Sequence, residues 1–269
     1  MRLQDKIALL TSAENSCAAA LAGGFARAGA DCVVLDRDGQ KAERLATEVR
    51  SLGRRAIAAQ CDVTKKTQVE EAVRHAVTEF GRIDVLLNCS VISHESDFLS
   101  LTESAFNDCI ERGPKAYFLM CQAVGRQMAE QRSGKIINLS TTDSRIGSGE
   151  SAANSAVFSS IDSMTRGIAQ ALAFYGVNVN SLVAGPMEYL SLTDEEAGER
   201  LRRIPLGRLG KPEDLVGAAI FLATEDSNFV AGESLVVDAG YANAAVTEDG
   251  FRPAWGRTWG KFEVPKREK

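Results

Sequence analysis

The chain has 269 residues, of which 45% are hydrophobic and 25% charged, and its formal net charge is -5. This length suits one large α/β domain with a sizeable core, and the composition is ordinary for a globular protein. The acidic balance excludes an overall basic field that would attract nucleic acid or anionic lipid. We therefore predict neither nucleic acid nor a membrane as a partner.

The same sequence indicates a cytoplasmic protein without a metal site. No segment approaches the ~20 apolar residues of a membrane span. The first residues run directly into an apolar strand and contain no signal-peptide pattern. The six cysteines are scattered without the spacing of metal ligands, which favours buried, reduced thiols.

Short apolar runs alternate with helical stretches along the chain, which indicates β-α-β units and a parallel sheet. The predicted strands span residues 6–11, 32–36, 56–61, 85–88, 135–140, 177–183 and 235–238. The predicted helices include 41–52, 67–80, 104–130 and 151–175, and a last helix begins near Pro212. Because no linker or repeat interrupts this pattern, we predict one α/β domain over residues 1–245 and a tail over 246–269.

Several motifs are similar to those of the short-chain dehydrogenase/reductase family. The strongest are I-P-L-G-R-L-G-K-P-E-D at 204–214 and V-D-A-G-Y at 237–241, supported by shorter matches at 61–64, 81–84 and 178–180. The chain resembles the family from about residue 3 to residue 241. The resemblance implies a single-domain, Rossmann-type three-layer α/β/α fold with a parallel sheet, and usually a dimer or a tetramer.

The loop after the first strand departs from the family pattern. In the family, a threonine followed by G-x-x-x-G-x-G lets the backbone approach the cofactor pyrophosphate at a helix N-terminus. Here Thr11 is followed by Ser12, Ser16 and Ala18 at the three glycine positions. Each side chain either intrudes on the phosphate path or costs ~1–2 kcal/mol where the turn needs a positive φ. We therefore expect no tightly bound cofactor on this chain.

Three cofactor-binding positions of the family keep polar residues. The resemblance places Asp36 where it would hold an adenosine ribose and favour NAD over NADP, Asp62 beside the adenine, and Asn88 along the cofactor. Two interpretations stay open. These residues are a retained half-site, or they are ordinary turn residues left from ancestry.

The catalytic positions of the family have lost their chemistry. The resemblance places its supporting Asn, its Ser, its Tyr and its Lys on Gly113, Thr141, Asn154 and Phe158. General acid–base catalysis needs a group that changes protonation state near neutral pH, and neither an amide nor a phenyl ring does so. We expect no catalytic residue of the family kind. A shifted acid at Tyr189 or His94 is the alternative.

In contrast to the catalytic positions, the segments expected to contact other subunits keep suitable residues. The predicted helix 151–175 carries small residues that let helices approach closely, at Ala153, Ser155, Ser159, Ser160, Ser163 and Gly167. The tail holds Trp255 and Trp259 among basic residues, which suits docking on a neighbouring subunit or contact with the phosphates of a coenzyme A thioester. A solvated tail is the alternative.

The sequence therefore predicts a catalytically inactive subunit that assembles with an active paralogue of the same family. The expected complex is a hetero-oligomer, typically a tetramer, with NAD and a coenzyme A thioester on the partner chain. Hetero-oligomeric members of the family, including the hydroxyacyl-CoA dehydrogenase of anaerobic toluene (benzylsuccinate) degradation, show this arrangement. The alternatives are a nucleotide or small-molecule sensor and an oxidoreductase with an altered active site.

Overall fold

The computed structural model describes residues 1–13, 15–90, 97–147, 152–188, 201 and 203–243. Within them, seven parallel strands form one sheet in the order β3-β2-β1-β4-β5-β6-β7. The strands are β1 (Ile7–Thr11), β2 (Asp31–Asp36), β3 (Ala56–Gln60), β4 (Val85–Asn88), β5 (Gly134–Thr141), β6 (Val177–Ala184) and β7 (Ser234–Val237). The helices are α1 (Ser16–Arg27), α2 (Gly39–Ser51), α3 (Lys66–Phe80), α4 (Glu103–Ile110), α5 (Ala116–Gln131), α6 (Ala152–Ala173) and α7 (Val216–Ala223).

Helices cover both faces of the sheet because the inner strands are apolar on both sides. Along β1, Ala8 and Leu10 pack in one core with α1, α2 and α7, whereas Ile7 and Leu9 pack in a second core with α3 and α5. Successive side chains of a strand point to opposite faces, which divides the residues between the two cores. The predicted Rossmann-type three-layer α/β/α fold is confirmed.

The predicted helix 104–130 is present as one continuous helical stretch, but it is not α-helical throughout. The chain forms α4, then a π-helical segment (Glu111–Lys115), then α5. Pro114 lies inside this segment, and proline cannot donate the backbone hydrogen bond that a continuous α-helix needs. The other predicted strands and helices are present, with ends that differ by one or two residues.

From β1 the chain adds β2 and β3 on one side of the sheet, and it then crosses back to β4, which pairs with β1 on the other side. The strand order therefore reverses between β1 and β4. In open parallel sheets, ligands bind outside the carboxyl ends of the strands at such a reversal. We refer to this side of the sheet as the carboxyl edge. It carries Asp36 at the end of β2, Asn88 at the end of β4 and Thr141 at the end of β5.

A row of buried polar side chains crosses the sheet just below the carboxyl edge. The Asn88 Nδ2 donates to Asn138 Oδ1 at 2.9 Å, and the Asn138 Nδ2 donates to Thr165 Oγ1 of α6 at 2.9 Å. The Ser181 hydroxyl donates to the same Thr165 oxygen at 3.1 Å. We call these four residues the amide ladder. It links β4, β5, β6 and α6.

Several sequence-based predictions concern residues outside the described ranges. These are the C-terminal tail with Trp255 and Trp259, and the alternative acids His94 and Tyr189. The boundary at residue 245 stays a prediction for the same reason. None of the helices in the described ranges combines the length and the apolar character that a membrane span requires.

The contact between Gly113 and α6 generates a stability prediction. A Cβ at position 113 would lie 2.7 Å from Val157 Cγ1, closer than real Cβ contacts. We expect Gly113→Ala to lower the free energy of unfolding by about 1–3 kcal/mol through overpacking. Gly217→Ala in α7 is the matched control, because a Cβ there meets nothing within 4 Å. Urea unfolding that gives the same change for both variants would contradict this packing argument.

Candidate functional site

The carboxyl edge holds a cavity of about 110 Å³ between the ends of β1, β2, β3 and β4. We call it the carboxyl-edge pocket. The polar residues that line it include Ser12, Asp36, Asp62, Thr64, Ser90 and Arg112. Pockets that bury a whole drug-sized ligand are typically ~300–1,000 Å³. This pocket therefore suits one part of a larger ligand.

Two carboxylates give the pocket its acidic side. Asp36 is 5% exposed, and its Oδ1 accepts a hydrogen bond from the backbone N–H of Asp38 at 2.8 Å. Asp62 Oδ1 accepts from the Thr64 hydroxyl at 2.7 Å and from the Thr64 N–H at 3.0 Å. Burial by itself would raise the pKa of Asp62, but these hydrogen bonds, with nearby Arg37 and Lys65, lower that pKa below its ordinary value. Asp62 is therefore ionised at neutral pH.

The loop between β1 and α1 is built differently from a glycine-rich loop. Ser12 has φ 59°, in the left-handed region where a non-glycine residue is strained by ~1–2 kcal/mol. Its hydroxyl lies 2.8 Å from the Ser90 hydroxyl, and this hydrogen bond joins the loop after β1 to the residues after β4. Ser12 therefore has the positive φ considered for this turn, and its side chain belongs to a residue that lines the pocket.

The other two glycine positions behave differently. Ser16 and Ala18 lie within α1 in helical conformation, and neither lines the pocket. The start of α1 is capped by Asn15, whose Oδ1 accepts from the Cys17 N–H at 2.8 Å and whose Nδ2 donates to the Cys89 carbonyl at 3.2 Å. Because the chain itself satisfies part of this helix N-terminus, fewer amides are available to a phosphate group.

Asn88 does not line the pocket. It is 1% exposed, and its side chain belongs to the amide ladder described above. The position that resembles a cofactor contact of the family is thus occupied by a residue that joins β4 to β5.

The family's catalytic positions meet near the carboxyl end of β5. Thr141 caps a short 3-10 helix, with its Oγ1 accepting from the Asp143 N–H at 3.3 Å. Asn154 and Phe158 lie one turn apart on α6, 2% and 1% exposed. Phe158 packs in an apolar cluster with Tyr117 and Val157. The structure therefore places a packed ring where a lysine would carry a cation.

Tyr117 is the tyrosine that lies closest in the fold to these positions, within the described residues. Its hydroxyl donates to the Leu139 carbonyl at 2.7 Å, and the side chain is 1% exposed. Burial, with Cys89, Cys121 and Asp162 nearby, raises the pKa of Tyr117 well above its ordinary value. This hydroxyl holds its proton at neutral pH, so it does not substitute for a catalytic tyrosine.

A second groove, of about 790 Å³, lies at the opposite, amino-terminal edge of the sheet. We call it the amino-edge groove. Its half-buried Lys135 donates to Asn178 Oδ1 at 2.9 Å and to Asn228 Oδ1 at 2.8 Å, and burial lowers the pKa of this lysine. Its other charges are largely paired, for example Lys6 with Asp84. Among the described residues, no group of histidine, cysteine and acidic side chains is arranged to hold a metal ion.

Arg37, which directly follows Asp36, and Arg112 line the pocket, and sequence reasoning predicted neither as a site residue. Arg112 is the harder of the two to foresee. It belongs to the π-helical segment and lies far along the chain from β1, β2 and β3. The segment reaches the pocket only because the sheet order places β4 next to β1. No spacing pattern in the sequence indicates that Arg112 lies close to the ends of β1, β2 and β3.

Comparison with known proteins agrees with this architecture. The family model described as enoyl-(acyl carrier protein) reductase, one of the short-chain alcohol dehydrogenase models, matches residues 12–242. The 5-keto-D-gluconate 5-reductase of Escherichia coli strain K12 is 33% identical over 243 residues, covering 88% of this chain and 96% of the relative. The (2S)-[(R)-hydroxy(phenyl)methyl]succinyl-CoA dehydrogenase subunit BbsD of Thauera aromatica is 32% identical, covering 89% and 98%.

A solved structure shows the same fold with a ligand. The gluconate 5-dehydrogenase of Burkholderia cenocepacia, in complex with NADP and tartrate, superposes with a TM-score of 0.87 at 32% identity. The match covers 91% of this chain and 98% of that one.

These matches contradict the prediction of a catalytically inactive subunit. The proteins that this chain resembles over nearly its whole length are named as reductases and dehydrogenases. The prediction was wrong because it took the loss of particular side chains as the loss of the activity class. The family resemblance itself is confirmed: the chain belongs to the short-chain dehydrogenase/reductase family.

Proposed function

We propose that this chain binds an adenine nucleotide by its adenosine end in the carboxyl-edge pocket, in the service of dehydrogenase or reductase chemistry. The observation that carries the proposal is the buried carboxylate of Asp36 at the end of β2, lining a cavity beside Asp62. Carboxylates at this place in a Rossmann-type sheet accept hydrogen bonds from ribose hydroxyl groups. The cavity is large enough for part of a nucleotide.

The comparisons support a nicotinamide cofactor as the source of that nucleotide. The Burkholderia relative is described in complex with NADP, and other relatives are named as dehydrogenases and reductases. When bound, such a cofactor supplies or accepts a hydride. The residues of this chain fit its adenosine end, whereas Ser12 and the Asn15 cap stand where the family binds the diphosphate through glycine backbone.

The reactive end of the site constrains the proposal further. An amide at position 154 and a phenyl ring at position 158 cannot move a proton, so a reaction here requires another proton-transfer group. Thr141 contributes a hydroxyl at the end of β5. The alternative acids His94 and Tyr189 stay predictions. This combination favours an oxidoreductase whose proton-transfer group differs from the tyrosine and lysine of the family.

Removal of the Asp36 carboxylate tests the pocket. We expect Asp36→Ala to weaken binding of NAD or AMP about 10-fold or more, because charge-assisted hydrogen bonds to the ribose are lost. Isothermal titration calorimetry of the full chain measures the change.

Asp38→Ala is the matched control. Asp38 caps α2 by accepting from the Gln40 N–H, so its loss costs about 0.5–2 kcal/mol of stability without removing a pocket carboxylate. Unchanged affinity in Asp36→Ala, or equal losses in both variants, would contradict the proposal. So would the absence of binding heat for every adenine nucleotide at several hundred micromolar.

We also propose that the chain assembles with a second, different chain of the same family along α6. The exposed side of α6 carries small residues, among them Ala156, Ser159, Ser163 and Gly167, and small side chains allow two helices to pack closely. On neighbouring α5, Phe118 is 45% exposed, which favours a partner over water. The relative BbsD is itself named as a subunit of a dehydrogenase.

Native mass spectrometry of the protein isolated gently from its own cells tests this assembly. We expect a mixed oligomer that contains this chain and a second short-chain dehydrogenase/reductase chain. The Ser163→Arg variant should reduce that oligomer, because a long charged side chain would separate the helices, whereas Thr47→Arg on exposed α2 should leave it intact. A monomer, or an oligomer of this chain alone, would contradict the proposal.

A further inference from the structure

We propose that Arg112 is the phosphate-binding residue of the carboxyl-edge pocket, and that the pocket therefore selects phosphorylated nucleosides over free nucleosides. The inference rests on the proposed nucleotide function and adds to it the ligand's charge class and the residue that recognises it. It follows from the position of the guanidinium, from the lost glycine loop and from the charge balance of the pocket.

Arg112 belongs to the π-helical segment and lines the same pocket as Asp36. Its ion pair is weak. The guanidinium Nη1 lies 3.3 Å from Asp108 Oδ2, one helical turn away, and the two side chains are 40% and 58% exposed. Exposed pairs of this spacing contribute only ~0.3–0.5 kcal/mol. The guanidinium can therefore exchange this partner for a ligand phosphate.

The segment that carries Arg112 is fixed in place. Its neighbour Gly113 packs so closely on Val157 of α6 that a Cβ would not fit. This close packing ties the segment to α6. The arginine thus projects from a held backbone, which lowers the entropy lost when it binds a ligand.

The pocket needs a cation for a phosphate to enter. Asp36 and Asp62 place two acidic side chains on its walls, and Arg37, the other arginine that lines it, lies 3.7 Å from Asp62, so its charge offsets a carboxylate of the pocket itself. Asp108, the partner of Arg112, does not line the pocket. The start of α1 offers little compensation, because Asn15 caps it and the Ser12 hydroxyl is already hydrogen-bonded to Ser90. Arg112 is the remaining cation on the pocket wall within the described residues. Its planar guanidinium matches phosphate oxygens in a bidentate geometry.

Phosphate binding by Arg112 also replaces the phosphate binding that a glycine-rich loop would provide. A glycine-rich loop binds phosphate through backbone N–H groups, which requires the backbone to approach the ligand closely. A long side chain reaches the phosphate from several ångströms away and does not require that approach. The π-helical segment lies between α4 and α5 beside the pocket, and it supplies such a side chain, Arg112.

Calorimetric titration of the full chain with adenosine, AMP and ADP tests the inference. We expect the wild-type protein to bind AMP about 10-fold or more tightly than adenosine, since a charge-assisted hydrogen bond is present only with AMP. Arg112→Gln should remove that difference and leave adenosine binding unchanged. Added salt should weaken AMP binding in the wild-type protein more than in the variant.

Two further variants control the measurement. Lys115→Gln removes a cation from the same segment that does not line the pocket, so AMP affinity should stay within about 2-fold. Asp108→Asn keeps Arg112 but removes its ion-pair partner, so AMP affinity should stay the same or rise, and this variant serves even if Arg112→Gln fails to fold.

The outcomes separate the two proposals. If adenosine and AMP bind equally, or if Arg112→Gln and Lys115→Gln behave alike, the role of Arg112 is wrong while nucleotide binding stands. A loss of AMP affinity in Asp108→Asn would also overturn it. If no adenine compound binds to the wild-type protein, the proposed function itself fails, and this inference fails with it.

Discussion

The amide ladder is the constraint on which the carboxyl edge depends. Its side chains are buried, so each donor and acceptor must find a partner inside the protein or cost about 1–3 kcal/mol. Asn138 meets this requirement only if β4, α6 and β5 keep one relative position, because it donates to Thr165 and accepts from Asn88. That position in turn places Ser90, just after β4, against Ser12. The pocket geometry therefore depends on hydrogen bonds of the amide ladder, whose residues do not line the pocket.

The two halves of the carboxyl edge differ in polarity. The half near β2 is polar, with ionised Asp62 and the arginines around it, and it keeps an open cavity. The half near α6 is packed with apolar side chains, and Phe158 lies in the same cluster as Tyr117. Phe158 adds a buried, uncharged ring to this apolar cluster, which strengthens the core. The residues proposed to bind the nucleotide and the residues at the family's catalytic positions thus lie in separate halves of the carboxyl edge.

Periodicity predicted the fold well because buried parallel strands are read directly from short apolar runs. It did not reveal the π-helical segment between α4 and α5, because the hydrophobic spacing continues through Pro114. The site was harder to predict. Asn88 resembled a cofactor contact, yet its partners are internal. Arg112 reaches the pocket only through the strand order, and the activity class followed from relatives rather than from the substituted residues.

Binding of an adenine nucleotide at the carboxyl-edge pocket is tested most directly by an amide chemical-shift map. The ¹⁵N-labelled full chain is titrated with AMP, and the shifted resonances are assigned. We expect the largest changes at Arg37, Thr64 and Ser90, around the pocket. Changes centred on Lys135 and Asn178 of the amino-edge groove, or no changes at millimolar AMP, would contradict it.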